Sequence, residues 1–186
     1  MILPIYIYGQ PVLKKQATDI APDYEDLETL VTDMWETMYQ AKGVGLAAPQ
    51  IGRSIRLFVV DTTQLEDEDK DFKGIKQVFI NAHKVDEDGG LWEYEEGCLS
   101  IPQIRADVER PERIHLRFQD EKFVEHDQVF DGITARVIQH EYDHIEGILF
   151  TELVKPVKRR MLRRKLDNMR KGIFEADYPV RTASRR

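Results

Sequence analysis

Four extended stretches follow one another in the middle of the chain with no helical pattern between them: "SIRLFVVD" (54–61), "KQVFINAHKV" (76–85), "RIHLRFQD" (113–120) and "KFVEHDQVF" (122–130). Each is rich in β-branched and aromatic residues and is bounded by short polar connections, as strands are. Successive parallel strands need a crossover, usually helical, so this order argues against a doubly wound parallel sheet. Helical spacing instead flanks the strands. Leu27, Leu30, Val31, Met34 and Met38 mark a first helix with Gly43 as its expected C′ stop. A second helix is expected from Asp131 or Gly132 to Gly147, with Ala135, Ile138, Tyr142 and Ile145 on an apolar face that makes it central and buried. The expected fold is therefore α+β: antiparallel β-sheets packed around a central helix, with an N-terminal helix and a basic C-terminal helix over 156–171. A single domain over 1–172 is expected, followed by a flexible tail at 173–186. The acidic "TQLEDEDKDFKG" (63–74) reads as a solvated loop between two strands.

The central helix carries "VIQHEYDHIEG" (137–147). An α-helix turns once in about 3.6 residues, so His140 and His144 project from one face in adjacent turns and can close on a single ion. In the H-E-x-x-H pattern the glutamate, here Glu141, is a base acting on water rather than a ligand. A catalytic site of this kind commonly takes three protein donors and keeps one position open. The third donor is not where two familiar arrangements put it. The metzincin position holds Phe150, which cannot ligate, and the downstream stretch that would carry a thermolysin-like glutamate reads "KRRMLRRKL". His83, His115 and His126 lie in strand-like segments and read as surface or packing residues.

Cys98 is the one cysteine, in "EEGCLSIP", where Gly97 is expected to permit a tight turn and Pro102 to end the extended run. A lone cysteine is often a small buried hydrophobe, but with the two histidines it completes a Cys-His-His donor set with an open position. Two rival readings use the same residues. A metal-dependent endopeptidase would normally take its third ligand downstream, and a structural zinc site would normally require a fourth protein ligand, of which there is no sign.

"GVGLAAPQIG" (43–52) contains G-x-G-x-x-A, the dinucleotide fingerprint, but that motif requires a strand before it and a helix after it. Here a helical pattern precedes it and Pro49 interrupts any helix starting within it, so no nucleotide cofactor is expected.

Taken together, "GVGLAAPQIG", "EGCLS" and "QHEYDH", in this order and with these separations, resemble peptide deformylases, which remove the formyl group from the N-terminal methionine of new chains. The resemblance spans the chain from Ile5 to Gly172. It implies metal ligands at Cys98, His140 and His144, the acid/base at Glu141, and oxyanion donors in the Gln50 side chain and the Leu99 backbone N–H. It further implies Fe²⁺ as the active metal, with Ni²⁺, Co²⁺ or Zn²⁺ able to occupy the same donors; the donor set alone does not choose among these. The substrate would be a nascent N-formyl-methionyl polypeptide, lying as an added strand along Val44 and Gly45 on one side and Gly97 on the other. Its methionine side chain would meet Val44, Ile133, Val137 and the His140 ring, though Ile133 and Val137 could equally be plain core. Arg105 would contact the substrate backbone or form a surface pair.

Composition is compatible with that resemblance. The chain has 186 residues, 41% hydrophobic and 33% charged, an ordinary balance for one soluble domain. One cysteine excludes an intrachain disulfide, which is compatible with a reducing compartment such as the bacterial cytoplasm. Pro4, Gly9 and Pro11 break "MILPIYIYGQPVLKK", so neither a signal peptide nor a membrane span is expected there. Against a formal net charge of −7, "KPVKRRMLRRKLDNMRKG" (155–172) is strongly basic, with Met161, Leu162, Leu166 and Met169 along one side of a helix. It reads either as a solvated helix balancing an acidic body or as a weak, salt-sensitive contact to the phosphate-rich ribosome.

Overall fold

The computed structural model describes residues 1–66 and 72–183. Its main sheet has five antiparallel strands, β2 (Gly45–Ala47), β3 (Leu57–Asp61), β4 (Lys76–Cys98), β5 (Ile101–Gln119) and β6 (Glu125–Asp131), paired in that order. A smaller parallel pair joins β1 (Ile5–Tyr6) to β7 (Val180–Arg181). Helix α1 (Leu27–Gln40) precedes the sheet, while α2 (Gly132–Ile145) and α3 (Pro156–Arg170) follow it. The fold is thus α+β with an antiparallel sheet. Among the described residues, no helix is long and apolar enough to cross a membrane.

Strand β3 explains the layering, because side chains alternate across a strand. Phe58 and Val60 pack with Phe79, Ile114, Leu116 and the Ala135, Ile138, Tyr142 and Ile145 face of α2. Leu57 and Val59 face the other way, joining Met34 and Met38 of α1. The sheet is therefore covered on both faces, and α2 is buried as its apolar periodicity predicts. A third cluster joins Ile7 and Leu13 to Ile101, Ile104, Val108 and Phe150, and is closed by Leu166 and Met169 of α3.

The strands differ from expectation in one consequential way. Rather than ending at 85 and restarting at 113, β4 and β5 run on as one long hairpin that turns at Leu99 and Ser100. Register shifts interrupt the pairing at Ile80/His83, Lys84/Asp86, Asp88/Leu91 and Gly97/Cys98. Each extra residue bends the ribbon, and the bends bring its tip back over α2. The exposed, polar stretch at 86–95 hid this continuation, because a hairpin arm bathed in water lacks the apolar alternation by which strands are read.

Several local expectations are corrected. The left-handed residue that ends α1 is Lys42 (φ 58°), with the Lys42 N–H bonded to the Tyr39 carbonyl and the Gly43 N–H to that of Met38. Gly43 is needed for space: a Cβ there would lie 2.9 Å from Leu99 Cδ1. Gly147 does cap α2 as anticipated, at φ 74°, and the Ile148 N–H closes on the Asp143 carbonyl. Gly97 makes no turn but lies in β4 opposite Arg105, and Pro102 opens β5 rather than ending a strand. Met161 does not join the packed side of α3 and is 76% exposed, since its position on the helix lies about 100° from Leu162.

Part of the segment expected as a frayed tail, Tyr178 to Arg181, makes defined contacts. Val180 and Arg181 pair with Ile5 and Tyr6, and Tyr178 packs against the α1 cluster. Backbone hydrogen bonds to the chain's own N-terminal segment offset the cost of ordering it. Of the acidic loop and the tail, residues 67–71 and 184–186 lie outside the described residues.

Candidate active site

The hairpin tip and α2 bring together residues distant in sequence. One ligand atom from each of Cys98, His140 and His144 lies within 4.8 Å of the others. Cys98 comes from the end of β4, and the histidines come from adjacent turns of α2. Cys98 Sγ is 3.2 Å from His144 Nε2, so that ring nitrogen faces the thiol. His140 Nδ1 is 2.9 Å from Glu96 Oε2, leaving Nε2 as the free nitrogen of that ring. Cys98 and His140 line a cleft of about 870 Å³ together with Gln50 and Glu141, while His144 is buried.

The sequence pattern gives Glu96 no role, although it stands two residues before Cys98 on β4. It is the hub of a buried charge network. Its carboxylate receives Arg110 Nε at 2.6 Å, Arg110 Nη2 at 3.0 Å and Arg136 Nη1 at 3.1 Å, besides facing His140. Arg110 also reaches Asp143 Oδ2 at 2.7 Å, and Arg136 lies over the Trp92 ring at 4.4 Å. Burial alone would raise the Glu96 pKa, but the His140 ring and Arg110 outweigh it and hold the carboxylate well below its usual range. An ionised Glu96 fixes the His140 ring orientation, as outer partners of ligating histidines do.

The electrostatics favour a cation among these donors. Burial pushes His144 well below the usual imidazole pKa and so keeps it neutral, the form that ligates a metal. His140 shifts upward: burial opposes the shift, but Cys98 and Glu96 overcome it. Neighbours that draw a proton to this spot also draw a metal ion, and metal binding displaces the proton. Glu141 is buried on the same helix, and burial pushes its carboxyl up to about 7, a value that a nearby dication would lower again. Its Oε2 is a buried oxygen without a hydrogen-bond partner among the described residues. A Cys-His-His set beside an uncommitted carboxylate fits a catalytic divalent ion.

Gln50 is clamped from behind. The Ala47 N–H donates to Gln50 Oε1 at 2.8 Å, which turns Nε2 toward Ser100 Oγ (3.2 Å) and Cys98 Sγ (3.6 Å). Val44, Gly45, Gly97, Leu99, Ile133 and Val137 also line the cleft. Gly45 is tightly constrained, since a Cβ there would lie 2.5 Å from Glu141 Oε1. Arg105 is at the rim, paired with Glu95 at 2.9 Å. His83, His115 and His126 stand apart from the site, each beside an aspartate: Asp19, Asp127 and Asp120 respectively.

A sequence model of the polypeptide deformylase family matches residues 2–160. The chain belongs to the polypeptide deformylase family. The peptide deformylase of Flavobacterium johnsoniae is 50% identical over 191 residues, covering 99% of this chain and 97% of that protein. That of Cytophaga hutchinsonii is 50% identical, with 97% of each chain covered. The crystal structure of a Legionella pneumophila peptide deformylase superposes with a TM-score of 0.78 at 39% identity, covering 92% of this chain and 96% of that one. As a deformylase, this enzyme is a metal-dependent hydrolase that removes the N-formyl group from the N-terminal formyl-methionine of newly synthesised proteins and releases formate.

Proposed function

We propose that Cys98 Sγ, His140 Nε2 and His144 Nε2 hold one divalent ion, Fe²⁺ in the native enzyme, and that Glu141 moves the protons of deformylation. The observation that carries this reading is the meeting of the three donor atoms within 4.8 Å, beside the buried, unpartnered Oε2 of Glu141. When bound, such an ion supplies Lewis acidity, lowering the pKa of water and polarising a carbonyl oxygen. Glu141 takes a proton from the water that attacks the formyl carbon and delivers it to the amine as the C–N bond breaks. Without that proton the amine would leave as an unstable anion.

Gln50 Nε2 and the Leu99 N–H donate to the oxygen that becomes negative in the tetrahedral state. Each such donor contributes about 3 kcal/mol of transition-state stabilisation. The Ala47–Gln50 hydrogen bond supports this role, because a pre-aimed amide needs no reorganisation during the reaction. Strand β2 is the edge of the main sheet, so Val44 and Gly45 can accept the peptide as an added strand, with Gly97 opposite. Ile133 and Val137 wall the methionine pocket with Val44, and Arg105 at the rim reaches the substrate backbone by exchanging its Glu95 partner.

The test is formate release from formyl-Met-Ala-Ser, compared with hydrolysis of the same peptide carrying a free or acetylated N-terminus. Cleavage of internal bonds at a comparable rate would favour an endopeptidase instead. Iron is tested by air exposure. A thiolate-ligated Fe²⁺ site oxidises at the metal and then at sulfur. Activity of the iron-loaded enzyme should decay in air while the nickel-loaded form persists; equal half-lives would count against iron.

The natural setting is the cytoplasm, where formylated chains leave the ribosome. Helix α3 presents Arg160, Arg163 and Arg164 to solvent, and basic side chains bind nucleic-acid phosphates by releasing counterions. A weak ribosome contact through α3 is tested by replacing these three arginines with glutamate and measuring co-sedimentation at low salt. Unchanged binding, or binding insensitive to salt between about 50 and 200 mM, would defeat it.

A further inference from the structure

The segment after α3 lies beyond the part of the chain that matches the family model, which ends at residue 160. It nevertheless returns to the hairpin tip. Tyr178 Oη donates to the Leu99 carbonyl at 2.7 Å, from a half-buried position against the α1 cluster. The next residues are zipped to the N-terminal segment: the Ile5 N–H reaches the Pro179 carbonyl at 2.9 Å and the Ile7 N–H reaches that of Arg181 at 3.0 Å. That N-terminal segment in turn holds the neighbouring peptide, with the Tyr8 N–H donating to the Ser100 carbonyl at 2.9 Å. Arg170, at the end of α3, bonds Tyr8 Oη at 3.1 Å and lies 4.9 Å over its ring.

The two residues of the hairpin turn are thus gripped from three sides. Tyr178 holds the Leu99 carbonyl, Tyr8 holds the Ser100 carbonyl, and Gln50 holds the Ser100 hydroxyl. Leu99 also fills the space left by the missing side chain of Gly43. A carbonyl locked in this way fixes ψ of Leu99, and so the peptide plane that follows it. The Leu99 N–H lies on the plane before it, joined through the Leu99 Cα. With the carbonyl held by Tyr178 and the side chain seated at Gly43, the Cα–N bond keeps one direction, and releasing the carbonyl would let the donor move away from the substrate oxygen.

We propose that Tyr178 is a positioning residue for deformylation: by fixing the Leu99 carbonyl, the C-terminal segment aims the Leu99 N–H at the developing oxyanion. This rests on the oxyanion role given to Leu99 above. Tyr178 also lines the cleft, but the geometry favours a positioning over a binding role, because its hydroxyl donates to the protein's own backbone.

The test is Tyr178→Phe in the full-length, metal-loaded enzyme, which keeps the ring and removes one hydrogen bond. Loss of that bond should lower kcat for formyl-Met-Ala-Ser about fivefold, within the range of a single neutral hydrogen bond, with KM within about twofold of wild type and metal content unchanged. Amide hydrogen exchange across residues 97–102 should rise in the variant, a readout that needs no turnover. Unchanged exchange would overturn the contact, and raised exchange with an unchanged kcat would overturn its link to the oxyanion donor. A rise in KM at constant kcat would make the segment a substrate wall and overturn positioning. Gln50→Ala serves as the control for the underlying reading: if it too leaves kcat unchanged, the oxyanion assignment fails, whereas a drop there with none in Tyr178→Phe sinks the present proposal alone.

Discussion

Helices α2 and α3 have nearly the same length, 14 and 15 residues, and both are amphipathic, yet they use polar side chains in opposite ways. In α2 the polar residues Thr134, Arg136, Gln139, Glu141 and His144 are buried along with the apolar ones. In α3 only Leu166 and Met169 are buried, and most of the charge faces water. Burial commits a polar group to one set of partners, because an unpartnered one is costly in a low-dielectric interior. Exposure leaves a charge worth little to the fold and available to a partner. The lesson is that the polar residues of α2 hold geometry while most of those of α3 hold only charge, and substitutions of the two sets should fail in different ways.

The largest effect is expected at Glu141. Glu141→Ala should retain the metal but lose about a thousandfold in turnover, within the range of positioned acid–base catalysis. Cys98→Ala or His144→Ala should lose metal and turnover together. Metal analysis and formate release on the same samples check this; a Glu141→Ala protein near the wild-type rate would defeat the mechanism.

Next comes Glu96, whose removal leaves buried Arg136 without a carboxylate partner and Arg110 with Asp143 alone. Glu96→Ala should destabilise the protein by about 3 kcal/mol, as breaking a buried ion pair does, and weaken metal binding by releasing His140. Denaturant melts of the metal-free protein isolate the first effect. A midpoint shift no larger than that of a surface substitution would show that the network is not structural.

Gly45→Ala probes the close approach of β2 to α2. A Cβ 2.5 Å from Glu141 Oε1 and 2.8 Å from its Cδ must displace a side chain that is buried. Misplacing a catalytic group by a fraction of an ångström to an ångström costs up to about a hundredfold, so a large fall in kcat with unchanged metal content is expected. Wild-type kcat would mean that the carboxylate moves aside freely.

The smallest effect sharpens the other half of the comparison. Replacing Arg160, Arg163 and Arg164 by alanine should change stability by no more than about 0.5 kcal/mol each and leave short-peptide turnover intact. A marked loss of short-peptide activity would show that α3 contributes to the site. Deleting the helix and all that follows is a poorer test, because it also removes Leu166, Met169 and the Tyr178 contact.

Periodicity and donor chemistry are local properties, and they were legible. The α2 apolar face, its glycine cap, the His140–His144 spacing and the place of Glu141 beside them follow from helical geometry, which depends only on neighbours three and four residues away. The antiparallel α+β class followed from strands that no helix separates. Pairing Cys98 with those histidines could be anticipated from the donor set, but not located.

What tertiary structure decided was everything that depends on which distant segments meet. The arm of β4 that delivers Cys98 is exposed and polar, so no pattern marked it as strand, and its bend comes from register shifts visible only once β5 is paired with it. Glu96 stood two residues from Cys98, yet its role exists only because Arg110, Arg136 and His140 converge on it from another strand and a helix. The C-terminal segment reads as tail for the same reason. Two residues of strand carry no periodicity, and the hydrogen bonds that order Val180 and Arg181 belong to Ile5 and Ile7 at the other end of the chain.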